Sequence, residues 1–456
     1  MKNQTKEMDM LNGGLSGKLI LFAIPLAFSS ILQQLFNSAD VAVVGRFAGS
    51  KALAAVGSCV ALVGIFVNLI VGLSVGPNAA LANLIGQNKR DQISKMLHTI
   101  LTFGAILGMI LMGLGMLFAR PILEVSGTPD TVMKEALLYI RIYFLGIPFM
   151  TIYNFGAAIL RSYGDTRRPL YYLIVSGTIN VILNLVLVIK FHLGVAGVAI
   201  ATVIANIVST LLLMICLCRK QDEFRFSFSK MGMEGQYLRK VLMIGIPAGI
   251  QGAIFSVSNV FIQKGINSFW EDAIAGSSLA LNFEYFTYDI AAAFAQAAVT
   301  FTSQNYGAGN LKRCKKIFWR CMLFGMVFTE ILSGVFLIWD DFFVSIYTIS
   351  EAVAFYGLIR LHHVCSLEGL TAMYEVESAA LRGMGKSLAP SIITIIGTVV
   401  FRIIWLGTIF RLVPTYEMLM NVYVASWVFT GVAILVVYIY ELKKAEKRFD
   451  GIKNVG

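Results

Sequence analysis

Apolar runs of about 20 residues recur from one end of the chain to the other, and they restrict it to a helical membrane fold. A run of that length crosses a hydrocarbon core of roughly 30 Å at about 1.5 Å per residue. Inside lipid every backbone N–H and C=O must be satisfied within the protein, so the remaining alternative is a closed barrel. Alternating segments of about ten residues, the mark of a membrane barrel, are missing. Charged residues make up 14% of the chain, where a soluble protein carries about 25%. Mean hydropathy is +0.75.

Twelve spans are predicted, at 17–43, 53–76, 96–118, 137–160, 169–190, 194–217, 240–264, 273–299, 317–340, 354–381, 389–411 and 418–441. The first run follows a polar start containing acids and has no convincing cleavage site, so it reads as a retained helix. The tenth is the most interrupted, by Arg360, His362, His363, Glu368, Glu375 and Glu377. With the N-terminus inside, 27 of the 37 Lys and Arg residues fall in cytoplasmic segments and 7 in outside loops. That asymmetry predicts both termini in the cytoplasm of a multi-pass protein of the cell membrane. The net charge of +11 is spread over these loops rather than gathered in a patch, which argues against a nucleic-acid partner. Six scattered cysteines without a C-x-x-C pair indicate neither a disulfide framework nor a zinc site.

The chain also repeats itself. Leu160-Arg161-Ser162-Tyr163-Gly164 matches Leu381-Arg382-Gly383-Met384-Gly385 at an offset of 221, and Gly86-Gln87-Asn88 falls on Gly307-Ala308-Gly309. Ile24-Pro25 pairs with Ile246-Pro247 and Asn37 with Asn259 at an offset of 222. Each unit has an even number of helices, so both copies enter from the same side and the repeats are parallel. The expected domains are an N-lobe over 1–218, a basic linker over 219–239 and a C-lobe over 240–456.

Pro25 and Pro247 sit inside helices 1 and 7, where proline frees a carbonyl and bends the helix. Asp40 is an acid within helix 1, one turn beyond Asn37 on the same face. An acid at membrane depth usually faces a bundle interior and marks an ion or proton path. Helix 5 offers Asn180 and Asn184 at i and i+4, and Asn154 and Thr202 are candidates to complete a cation-coupling cluster. A plainer role for these asparagines is gluing helices together. In the second half Glu284, Asp289, Glu368, Glu375 and Glu377 lie in spans 8 and 10 with Tyr288 and Tyr374 nearby. Acids beside aromatic faces suit a cavity for organic cations, and some of these acids can instead pair with Arg360. Adjacent His362 and His363 point to different faces, so no metal site is expected. Gly385-Lys386-Ser387 lacks the earlier glycine of a phosphate loop, because Ala380 stands there. Neither a catalytic constellation nor a cofactor motif is present, so the chain does not read as an enzyme.

Two six-helix repeats, the helix-1 proline, Asp40-Val-Ala-Val-Val-Gly45, the Gly86-Gln87-Asn88 loop and the repeated Leu-Arg-x-x-Gly motif together resemble the multidrug and toxic compound extrusion (MATE) family. The resemblance spans nearly the whole chain. It implies an all-α integral membrane protein whose twelve helices form a V-shaped pair of lobes, exporting organic cations and other amphiphiles in exchange for H⁺ or Na⁺. By position, Asp40 matches the family's helix-1 coupling acid and Asn180 a helix-5 asparagine of the same cluster. Asn184 departs from the pattern, since many members carry an aspartate there. Helix 7 also lacks the glutamate that some members use for Na⁺, which favours H⁺. The expectation is therefore a secondary antiporter, acting as a monomer on small-molecule substrates amid membrane lipids. A lipid-linked precursor flippase of the same superfamily is the alternative.

Overall fold

In the computed structural model, which describes residues 8–453, every predicted span is a helix. The first repeat comprises α1 (Ser16–Val43), α2 (Ser50–Gly86), α3 (Arg90–Val125), α4 in two pieces (Asp130–Leu145 and Ile147–Ser162), α5 (Arg167–Lys190) and α6 (Gly194–Cys218). The second comprises α7 (Gly235–Ile266), α8 (Glu271–Gly307), α9 (Leu311–Ile338), α10 (Glu351–Val364, a 3-10 stretch Cys365–Leu370, and Thr371–Gly383), α11 (Leu388–Leu412) and α12 (Tyr416–Lys453). Among the described residues nine of these helices are long and apolar enough on composition to cross a membrane, or ten with α4 counted as one bent span. The two left over, α8 and α10, are those carrying the embedded acids of the second half, Glu284, Asp289, Glu368, Glu375 and Glu377. Lys2 and Lys6, counted above with the cytoplasmic charges, lie outside the described residues.

The repeated motifs are helix stops. Asn88 (φ 55°) and Gly309 (φ 73°) both take the left-handed conformation, as do Gly164 (φ 98°) and Gly385 (φ 80°). Each is followed by the same closing bond: Lys89 N–H donates to Leu84 O at 3.2 Å, as Asn310 N–H does to Asn305 O at 2.8 Å. Asp165 N–H to Leu160 O and Lys386 N–H to Leu381 O repeat the pattern at 3.0 and 2.8 Å. A left-handed residue just past a helix captures otherwise orphaned carbonyls. Glycine or asparagine at these positions is thus a backbone requirement.

Helix 4, predicted as one span over 137–160, bends by 43° between Leu145 and Ile147. Pro148 has no N–H to donate back, and Gly146 imposes no side chain at the break. The apolar pattern runs straight across this point, so periodicity alone does not reveal it.

By contact the chain divides into two compact units, Phe28–Gly249 and Asp9–Ala27 together with Ile250–Gly456. The changes of unit after Ala27 and after Gly249 each fall two to three residues beyond a helical proline, Pro25 or Pro247. In the first unit α2 meets the start of α7 at glycines: a Cβ on Gly76 would lie 2.3 Å from Val241 O, and one on Gly72 2.5 Å from Ala248 O. Close backbone approach through small residues is how membrane helices gain packing energy without a hydrophobic drive. Residues of the predicted linker pack on α3, where Ser227 N–H donates to His98 Nε2 at 3.1 Å and Lys95 pairs with Glu234 at 3.3 Å. In the second unit Arg313 on α9 holds the segment before α1, donating to the carbonyls of Met10, Asn12 and Gly13, each at 3.1 Å.

Candidate functional site

The first unit gathers its membrane-depth polar side chains where α1, α5 and α6 meet. Gly177 on α5 makes the meeting possible, because Phe36 of α1 lies over it and a Cβ there would stand 1.9 Å from the ring. One turn along α1 from Phe36 comes Asp40, and one and two turns along α5 from Gly177 come Asn180 and Asn184. Asn184 Nδ2 donates to Asp40 Oδ1 in a short contact. Thr202 Oγ1 of α6 lies 3.4 Å from Asp40 Oδ2, and Asn180 Nδ2 donates to Thr202 Oγ1 at 3.4 Å. Asn184 Nδ2 also reaches Asn180 Oδ1 at 3.3 Å, which closes a ring of four side chains. Asn184 is fully buried and its own Oδ1 has no partner among the described residues, leaving a spare acceptor beside the carboxylate.

Two residues predicted for this cluster stand apart from it. Asn37 is exposed, and Asn154 donates instead to Met150 O of its own helix at 2.9 Å. Two others were not foreseen. Tyr139 and Tyr143 of α4, both buried and stacked with centroids 6.1 Å apart, lie within electrostatic reach of Asp40. An aromatic pair spaced i, i+4 in an apolar run carries no sequence signal that separates it from ordinary core.

The second unit holds a different polar centre, on α8, α10, α11 and α12. Arg360 of α10 clamps Glu284 of α8 with two bonds, Nε to Oε1 at 2.5 Å and Nη2 to Oε2 at 2.7 Å. Its Nη1 donates to Ser277 Oγ at 2.6 Å, and its guanidinium lies 5.2 Å from the Tyr423 ring. Glu284 therefore presents an ion pair rather than a bare carboxylate. The guanidinium of Arg402 of α11, a residue 1% exposed, sits 4.7 Å from the centre of the Tyr423 ring and 5.8 Å from that of the Phe255 ring. Arg402 Nε donates to Ser426 Oγ at 3.2 Å, while Nη1 and Nη2 are buried without a hydrogen-bond partner among the described residues.

The remaining predicted acids of this unit are spread along α8 and α10. Tyr288 donates to Glu375 Oε1 at 2.9 Å. Tyr374, beside Glu375 in sequence, is buried at 1% exposure. Glu377 is fully buried and both its oxygens lack a partner among the described residues. Asp289 is half-buried with no hydrogen bond or ion pair recorded among the described residues. Arg382, grouped by sequence with the loop charges, is 7% exposed and donates to Gln251 Oε1 at 2.6 Å. Groups of His, Cys, Asp and Glu that could hold a metal ion do not occur among the described residues.

Comparison with known proteins agrees with the internal repeat. The family model MatE matches twice, over residues 25–186 and again over 247–406. The Bacillus subtilis protein named "Probable multidrug resistance protein YoeA" is 29% identical over 387 residues, covering 82% of each chain. A Shewanella oneidensis protein named "FAD transporter" is 27% identical over 304 residues, 65% of this chain and 66% of that one. Among solved structures, the outward-facing conformation of a multidrug resistance MATE family transporter superposes with a TM-score of 0.88 at 21% identity, covering 99% of this chain and all of that one. With the family model matching most of the sequence in two tandem copies, the chain belongs to the MATE family of multidrug efflux transporters.

Proposed function

We propose that the protein is a secondary antiporter that couples export to proton entry at Asp40, working as a monomer with both termini in the cytoplasm. The observation that carries this reading is the composition of the ring: one carboxylate held by an amide and a hydroxyl, a second amide bridging those two, and among the described residues no cationic side chain bonded to it. A carboxylate without a fixed counter-charge at membrane depth can take up a proton and release it when water or a partner reaches it, which is what a proton path needs. Asn184 in place of an aspartate leaves a single titrating group, which suits a proton better than a metal cation. Organic cations are the proposed substrates, drawn to Asp289, Glu375, Glu377 and the rings of Tyr288 and Tyr374.

A second reading, export of an anionic amphiphile such as a lipid-linked precursor, has an observation of its own in the unsatisfied Nη1 and Nη2 of Arg402. The test for both is substrate-stimulated ion flux in proteoliposomes under a pH gradient or a Na⁺ gradient separately. Proton movement stimulated by a cationic dye supports the first reading. Stimulation only by Na⁺ overturns the coupling ion, and stimulation only by anions transfers the assignment to the second.

A further inference from the structure

We propose that the mouth between α5 and α6 of the first unit is a binding site for the headgroup of an anionic phospholipid. A cavity of about 340 Å³ opens there, where the first turn of α5 meets the last turn of α6. Arg168, Arg219 and Lys220 form its rim, and Tyr172, Ile215 and Cys216 form its wall. Arg168 is positioned by Asp165, at 3.3 Å, so that it lies across the mouth. Lys220 reaches Asp222 at 3.4 Å and lies 4.3 Å over the Tyr163 ring. Arg219 is exposed, and no carboxylate within ion-pair distance of it is recorded among the described residues. The start of α5 adds the positive end of its helix dipole.

Two further observations point to a lipid rather than a soluble phosphate. The wall continues along both helices as exposed apolar side chains: Ile174 and Val175 on α5, Leu211 and Ile215 on α6. That surface would hold the acyl chains below a phosphate seated on the arginines, and basic pockets between membrane helices bind anionic headgroups in this way. The second repeat provides the contrast. At an offset of 221 the rim residues Arg168, Arg219 and Lys220 become Ala389, Tyr440 and Glu441. Glu441 itself pairs with Lys386 at 3.4 Å. The scaffold therefore folds without a basic rim at this place.

Native mass spectrometry of the purified full-length protein in mixed micelles tests the site. Phosphatidylglycerol is expected to stay bound in preference to phosphatidylcholine. Arg219→Gln should lower phosphatidylglycerol retention about fivefold, the weight of one basic residue at an anionic surface. Lys443→Gln with Lys444→Gln, exposed charges near the equivalent place on α12, should leave it unchanged. Thermal unfolding of each variant checks that the fold is intact. Equal retention of the two lipids, or unaltered retention in Arg219→Gln, overturns the site. Full displacement by glycerol phosphate at millimolar concentration would assign the cavity to a soluble phosphate and also overturn the lipid proposal.

Discussion

The two repeats share a junction and use it differently. In the first copy Phe36 of α1 lies over Gly177 of α5. In the second the equivalent residues are Ser258 and Thr398, and Ser258 Oγ donates to Thr398 O at 2.7 Å. Beyond the junction the first copy places Asp40 against Asn184, whereas the positions equivalent to Asp40, Asn180 and Asn184 in the second are the apolar Ile262, Phe401 and Trp405. Polar chemistry in the second copy has moved to α8, α10, α11 and α12, where one of its acids, Glu284, is clamped by Arg360. A duplicated scaffold thus holds one carboxylate among neutral partners and another inside an ion pair. The first arrangement suits a group that must gain and lose charge. The second suits one that keeps its charge and fixes helices.

The sharpest way to break that comparison is Asp40→Asn. It replaces the one ionisable member of the ring by an amide of equal size that can keep bonds to Asn184 and Thr202. Gradient-driven export should be abolished and its pH dependence should vanish, while thermal unfolding in detergent stays near that of the parent. Transport at the parental rate in Asp40→Asn vesicles would remove Asp40 from coupling. Arg360→Met in the second unit should do the opposite. Removing one partner of a buried ion pair leaves an uncompensated charge and costs about 3–5 kcal/mol. The unfolding midpoint should fall sharply, and adding Glu284→Leu should restore most of it. If the single and double variants unfold alike, the pair is not holding α8 to α10.

How much of this was open to sequence reading differs between scaffold and site. Span positions were legible because twenty apolar residues in succession admit few alternatives, and the repeat was legible because its left-handed turns at Asn88, Gly164, Gly309 and Gly385 tolerate few residue types. Asp40, Asn180, Asn184 and Thr202 were legible as rare polar groups in apolar runs. Asn37 shows the limit of that rule, since i, i+3 spacing puts it near Asp40's face without saying which side of that face meets α5. The bend of α4 was hidden because hydrophobicity continues through Gly146, and the 3-10 stretch of α10 because its polar residues read only as interruption. Arg382 was hidden for a different reason: a charge at a helix end looks solvated until Gln251, 131 positions away, is seen to receive it.

Gly177 offers a smaller effect that joins scaffold and site. Gly177→Val inserts atoms where a Cβ alone would stand 1.9 Å from Phe36, so α1 and α5 must separate or Phe36 must turn. Overpacking of this kind costs about 1–3 kcal/mol. Coupling should weaken along with stability, because the separation lengthens the Asp40–Asn184 contact. Gly177→Val with Phe36→Ala should recover both, and recovery of stability without coupling would show that the ring does not depend on this approach.

The smallest expected change is Thr202→Val, which keeps shape and removes a hydroxyl. Its bonds to Asp40 and Asn180 are both 3.4 Å, at the long end for hydrogen bonds, while its bond to Val198 O of its own helix is 3.1 Å. Loss of a neutral bond of this quality is worth about 0.5–1.5 kcal/mol. Asp40 would then be held by Asn184 alone, and the fewer donors a carboxylate has, the less its charged form is favoured. The pH dependence of export should therefore change, with the maximal rate little altered. A fall in maximal rate at unshifted pH would mean that Thr202 acts on the transported substrate or on helix movement, and the ring of four would shrink to the three side chains of α1 and α5.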